Sequence, residues 1–157
     1  AAERKNPPVG RIIEVDGVRV HYAGKGKGQP VVLINGNGTM VHDWLISGLF
    51  DRLGQDYRVI AIDRPGYGYT GRPRDRLWTA SAQAELLRVT LKRLGVEKPI
   101  LVGHSWGTIV ALAYALDHPD EAGGLVLLSG YYYPTKRADV WLFAPPAIPV
   151  VGDLMRY

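Results

Sequence analysis

The sequence predicts an α/β fold: a mostly parallel sheet with helices on both faces, opened by an antiparallel hairpin. Three observations predict it. The runs Val31 to Ile34, Val59 to Ile62, Ile100 to Val102 and Leu125 to Leu128 are continuously apolar, as strands buried on both faces of a parallel sheet are. Helical spacing of apolar residues returns between them, so strands alternate with helices and right-handed crossovers follow. Glycines gather directly after the first three of these runs, at the carboxyl ends of strands, where such folds place their sites.

Each element has its own signal. Arg11 to Val15 and Val18 to Tyr22 flank Asp16-Gly17, a two-residue turn pair, and Val18, Val20 and Tyr22 alternate onto one face. This predicts a hairpin at a sheet edge. A helix follows Thr79, with Ala80, Ala84, Leu87, Leu91 and Leu94 down one face and Gly95 placed as the C-terminal cap. A second helix carries Ile109, Val110, Leu112, Ala113 and Leu116 and ends at His118, where Pro119 stops it.

Between Ile100-Leu101-Val102 and that second helix lies Gly103-His104-Ser105-Trp106-Gly107. A serine on a sharp turn from strand to helix has a strained backbone and a hydroxyl raised above the sheet, and the flanking glycines remove the side chains that would clash. The segment therefore reads as a nucleophile elbow with Ser105 as the nucleophile. Gly66, Gly68 and Gly71 also spell a dinucleotide-type glycine pattern after a strand, but Arg72 to Arg76 follow where a phosphate-binding helix must begin. They are read as turn formers, with Asp63 and Arg64 as structural residues near the site.

Composition excludes several classes. A chain of 157 residues with 46% hydrophobic and 22% charged residues suits one soluble globular domain. The net charge of +4 is spread among 15 acidic residues, so no nucleic-acid partner is expected. With no cysteine there is no disulfide and no thiol nucleophile, and the four scattered histidines point to no metal site. The longest apolar stretch, Val140 to Val151, is interrupted by Pro145, Pro146 and Pro149 and reads as a lid or interfacial segment instead of a membrane span. The start at Ala1-Ala2 is read as a processed or trimmed end, which leaves the compartment unassigned and membrane association through a removed N-terminal segment open.

The three glycine loops are Asn35-Gly36-Asn37-Gly38-Thr39, Asp63-Arg64-Pro65-Gly66-Tyr67-Gly68 and the elbow. In this order, over nearly the whole chain, they resemble the α/β-hydrolase superfamily. The resemblance implies an oxyanion hole formed by the main-chain N–H groups of Asn37 and Trp106, with main chain and not side chains acting in the first loop. Asn35 stands where the family usually has histidine, and is expected to support the loop or form a plain Asn-Gly turn. Gly36, Gly38, Gly103, Gly107 and His104 are read as structural residues around the site. Thr108 replaces a glycine, which reads as a minor packing change. The glycosylation-type triplet Asn37-Gly38-Thr39 is discounted because it lies inside the site. His21, His42 and His118 read as structural or surface residues.

A serine needs a base and an orienting acid, and Asp139 and Asp153 have no motif around them. The resemblance implies a triad order of serine, acid, histidine, with the last two in polypeptide beyond Tyr157. It also implies a strand order of 1-2-4-3-5-6, which leaves the last strand as an apolar edge for a missing C-terminal polypeptide to cover. Residues 1–130 are read as the hydrolase core and 131–157 as the start of a cap, whose Tyr131, Tyr132, Tyr133, Trp141 and Phe143 either line an apolar entrance or pack the lid. The function expected is a cofactor-free serine hydrolase acting through an acyl-enzyme at Ser105 on a small apolar ester, lactone or related acyl substrate. Amidase or peptidase, carbon–carbon hydrolase and perhydrolase chemistry share this elbow, and a non-catalytic binding or scaffold protein is the alternative from another class.

Overall fold

The structure, a computed structural model, describes residues 7–133. Six strands form one sheet in the order β1-β2-β4-β3-β5-β6, the order expected. They are β1 (Arg11–Val15), β2 (Val18–Lys25), β3 (Pro30–Ile34), β4 (Arg58–Ile62), β5 (Ile100–His104) and β6 (Gly124–Leu128). β1 pairs antiparallel with β2 and β2 with β4, while every pairing from β4 across β3 and β5 to β6 is parallel.

The hairpin turn has Asp16 at φ 50° and Gly17 at φ 77°, the paired positive angles that a tight two-residue connection between twisted strands requires. β2 runs past Tyr22 to Lys25, in register with β4 from Tyr22 opposite Ile62 to Lys25 opposite Val59. Gly24 and Lys25 carry no apolar alternation, so this extension was not visible in the pattern.

Successive residues of the central strands feed two cores. Val32 and Ile34 of β3, with Ile60 and Ile62 of β4, join Leu87, Leu91 and Val110 on one face. Val31 and Leu33, with Val59 and Ala61, join Val41 and Phe50 on the other. Each such side chain taken fully out of water is worth roughly 1.5–3 kcal/mol, so the strands on which the loops stand are firmly anchored.

The first face is covered by α3 (Ala80–Arg93) and α4 (Gly107–Asp117), the second by α1 (Val41–Ile46) and α2 (Leu49–Asp56). Thr79 caps α3 by accepting a hydrogen bond from the Ala82 N–H at 3.2 Å, and Gly95 at φ 62° turns the chain out of the helix. α4 ends at Asp117 with His118 as its C-cap, before a 3-10 turn at Pro119–Glu121. α1 and α2 were not legible as helices. They span six and eight residues, too few turns for a periodic signal, and the start of α1 is held by a distant group: the Asp63 carboxylate accepts from the Val41 N–H at 2.8 Å.

β6 departs from the expectation of burial on both faces. Leu125, Val126, Leu127 and Leu128 are 37–42% exposed, because β6 ends the strand order and, among the described residues, pairs only with β5. Of the expected cap, residues 134–157, with Asp139, Trp141, Phe143 and Asp153, lie outside the described residues. No helix among the described residues is long and apolar enough to cross a membrane.

Candidate active site

Ser105 has φ 51°, a left-handed conformation that costs a non-glycine residue strain and that the surrounding structure must enforce. Two glycines make it sterically feasible. A Cβ on Gly103 would lie 2.6 Å from the Gly107 carbonyl oxygen and from the Thr108 Cα, and one on Gly107 would strike the carbonyl oxygens of Ile34 and Asn35. β5 and α4 therefore approach each other, and the β3 loop, at backbone contact. The turn is also tied by hydrogen bonds: the Ser105 N–H donates to Leu128 O at 2.9 Å, and the Ser105 carbonyl accepts from the Thr108 N–H at 3.1 Å and the Thr108 hydroxyl at 2.6 Å. Thr108 is fully buried, so its hydroxyl braces the turn at Ser105, which is more than a minor packing change.

The β3 loop meets the elbow at Gly36, where a Cβ would stand 3.0 Å from the Ser105 Cβ and 3.1 Å from the His104 carbonyl oxygen. Gly38, at φ 73°, has open space around it, so its requirement for glycine is conformational. Among the described residues, no acceptor is paired with the main-chain N–H of Asn37 or of Trp106.

What holds the β3 loop was missed in the sequence. Arg64, buried to 4% exposure, donates from Nε to Asn35 O at 2.7 Å, and from Nη2 to Gly36 O at 2.7 Å and to Asn37 Oδ1 at 2.8 Å. Its Nη1 donates to Gln83 Oε1 at 3.1 Å. The guanidinium lies 4.4 Å from the Tyr67 ring centroid and 4.7 Å from that of Trp106, cation–π distances. Burial pushes the Arg64 pKa below its ordinary value, with the Tyr67 and Tyr131 phenols opposing that shift. A planar fork with five donors can serve several carbonyls at once; one arginine thereby joins all three loops.

Asn35 is 1% exposed. Its amide donates to Gly36 O at 3.3 Å and to Thr39 O, and its carbonyl accepts from the Arg64 N–H at 3.4 Å. These bonds tie the β3 loop to the β4 loop. Asn37 is exposed, yet its side-chain oxygen accepts from both Arg64 and the Tyr67 hydroxyl, the latter at 2.8 Å. The side chain therefore has an anchoring role that the main-chain reading of this loop did not include.

The four histidines have other contacts. His21 is fully buried and its Nδ1 lies 2.6 Å from Asp63 Oδ2. Asp63 also accepts from the Val41 and Tyr69 N–H groups, so this pair locks β2, α1 and the β4 loop together. Gly68 must lack a side chain because a Cβ would collide with the Asp63 carboxylate. His104 packs edge-on against Trp44 at 6.3 Å, His42 lies in α1, and His118 contacts Glu85 at 3.1 Å. Among the described residues, no histidine or carboxylate is hydrogen-bonded to the Ser105 hydroxyl. Tyr132 and Tyr133 are 45% and 82% exposed.

The chain is similar to known proteins. The family model for the alpha/beta hydrolase fold matches residues 29–151, and the chain belongs to that family. It is 35% identical over 149 residues to 2-hydroxymuconate semialdehyde hydrolase of Pseudomonas sp. (strain CF600), covering 92% of this chain and 53% of that protein. It is 36% identical to epoxide hydrolase 3 of Siraitia grosvenorii, over 88% of this chain and 41% of that one. Among solved structures, the meta-cleavage product hydrolase from Pseudomonas fluorescens IP01 superposes with a TM-score of 0.76 at 30% identity, over 83% of this chain and 48% of that chain. The chain spans about half the length of the first of these relatives. The relatives named here are hydrolases.

Proposed function

We propose that this chain supplies the nucleophile and oxyanion-binding half of a serine hydrolase that cleaves a small acyl substrate through a covalent acyl-enzyme at Ser105. The observation that carries the reading is the strained Ser105 at φ 51°, with Gly36 against its Cβ and N–H groups on Asn37 and Trp106 that have no acceptor among the described residues. In the proposed step the Ser105 Oγ attacks the acyl carbon and its proton passes to a histidine base. The carbonyl oxygen gains the negative charge between the two N–H groups, and the leaving group departs with the proton. Fixed donors at the point of developing charge are worth about 3–4 kcal/mol each in the transition state. The proposal assigns histidine and acid to polypeptide beyond residue 157, and Arg64 to holding the loop in place.

Ester or lactone cleavage is the chemistry proposed first. Carbon–carbon hydrolysis is the second reading, favoured by the 35% identity to 2-hydroxymuconate semialdehyde hydrolase. The test uses the protein encoded by the complete gene, treated with a fluorophosphonate probe and mapped by peptide mass spectrometry. Labelling at Ser105, lost in Ser105→Ala along with p-nitrophenyl ester turnover, is the expected result. A functional esterase labelled at another serine would overturn the assignment.

A further inference from the structure

We infer that the Asn37 carboxamide is a substrate-specificity group: a fixed donor that selects compounds bearing a second oxygen acceptor near the acyl carbon. This rests on the reading of Ser105 as the nucleophile and deepens it, because a wholly apolar acyl chain leaves that donor without a partner.

A carboxamide on an exposed loop is ordinarily free to flip, showing either its oxygen or its NH2 to a ligand. Asn37 is not free. Arg64 has donors only, and its Nη2 lies 2.8 Å from Asn37 Oδ1, while the Tyr67 hydroxyl donates to the same oxygen at 2.8 Å. The flipped form would put an NH2 against a guanidinium. The oxygen therefore faces inward onto a buried cation, and Nδ2 faces away from both donors.

The loop itself cannot swing to cancel this orientation. Arg64 also holds the carbonyls of Asn35 and Gly36, and Gly36 is wedged against Ser105 and His104. Trp106, next to the serine, stacks on the same guanidinium at 4.7 Å. Asn37 thus shares one rigid support with both residues beside the nucleophile. The cation bonded to its oxygen also polarises the amide and strengthens its NH2 as a donor. Among the described residues Nδ2 has no acceptor. A ketone, ester or carboxylate oxygen on the substrate, a few bonds from the attacked carbon, fits this group; Arg64 and Tyr67 are its positioning residues.

The test measures the rate at which Ser105 is phosphonylated in the protein encoded by the complete gene. The probes are p-nitrophenyl phosphonates carrying a 2-oxopropyl or 3-oxobutyl chain, each compared with its propyl or butyl parent. Attack forms the Oγ–P bond and expels p-nitrophenolate, so the release of dye reports the rate. The wild-type protein is expected to react with at least one ketone-bearing probe about tenfold faster than with its parent, the scale of one oriented hydrogen bond. Asn37→Asp keeps the oxygen that Arg64 and Tyr67 need and removes the NH2, so the ratio should fall to about one or below. Tyr67→Phe, which removes one of the two anchors, should give an intermediate ratio. A wild-type ratio near one for both pairs, or a ratio that survives Asn37→Asp, overturns the inference and leaves Ser105 as nucleophile. No phosphonylation of Ser105 in the wild-type protein overturns the reading of Ser105 and this inference with it.

Discussion

The two loops that meet at Ser105 are held by opposite means. The elbow is held by what is missing: Gly103 and Gly107 have no side chains, and β5, α4 and the β3 loop close to backbone contact in the space that leaves. The β3 loop is held by what is present: Arg64, Asn35, Asn37 and Tyr67 satisfy one another and its carbonyls. The contrast teaches where each loop is vulnerable. Adding a methyl group should break the first, and removing a guanidinium should loosen the second.

The largest effect is expected from Gly107→Ala. Its Cβ would meet the carbonyl oxygens of Ile34 and Asn35, and since backbone cannot turn aside as a side chain can, α4 and β3 must shift. A loss of about 3 kcal/mol or more in urea denaturation, or failure to fold, is expected. A loss under about 1 kcal/mol would show that the three segments are not packed at backbone contact.

Arg64→Met should come next. It leaves Asn35 O without its donor and removes one of the two donors from Gly36 O and from Asn37 Oδ1, for a loss of about 2–3 kcal/mol, together with slower phosphonylation of Ser105. Arg64→Lys tests the fork itself: a single ammonium cannot reach all three oxygens, so most of the rate loss should remain although the charge is kept. Full recovery by lysine would mean that charge and not geometry holds the loop. On the elbow side, Thr108→Val removes the hydroxyl that donates to Ser105 O at 2.6 Å and should cost about 1 kcal/mol, measured in the same denaturation series.

The smallest effect serves as the control away from both loops. Glu85 is held below its ordinary pKa of 4.5, first by its hydrogen bond from Arg88, with burial acting in the opposite sense. A carboxylate depressed on folding adds stability above its unfolded pKa and loses that contribution as pH falls through the folded value. Because the Glu85 side chain is about half exposed, Glu85→Gln should lower Tm by no more than about 2 °C at neutral pH. The difference should vanish well below pH 4.5, where both side chains are neutral.

The same contrast decides what could be read from the sequence. Steric requirements leave a local mark: glycines at fixed offsets around Ser105, Asp16-Gly17 in the hairpin, and Gly95 after the helix that Thr79 starts. These placed the elbow, the hairpin and both long helices, and the order of the loops led to the strand order. The polar network leaves no such mark. Arg64 reaches residues 27–29 positions away, and His21 finds Asp63 across 42, so neither partnership follows from spacing. The helices α1 and α2 escaped for a related reason, since Val41 begins its helix on an acceptor from the β4 loop. The exposure of β6 belongs to the same class: an apolar run shows what can be buried, while the neighbour that would bury it lies elsewhere in the chain or outside the described residues.

The central claim is that the two loops converge to bind charge that develops on a substrate attacked by Ser105. A crystal structure of the protein from the complete gene, phosphonylated with a p-nitrophenyl alkylphosphonate, tests this most directly. The adduct is expected on Ser105 Oγ, with one phosphonyl oxygen about 2.7–3.1 Å from the main-chain nitrogens of both Asn37 and Trp106. An adduct on another serine, or a phosphonyl oxygen directed away from those two nitrogens, would contradict the account.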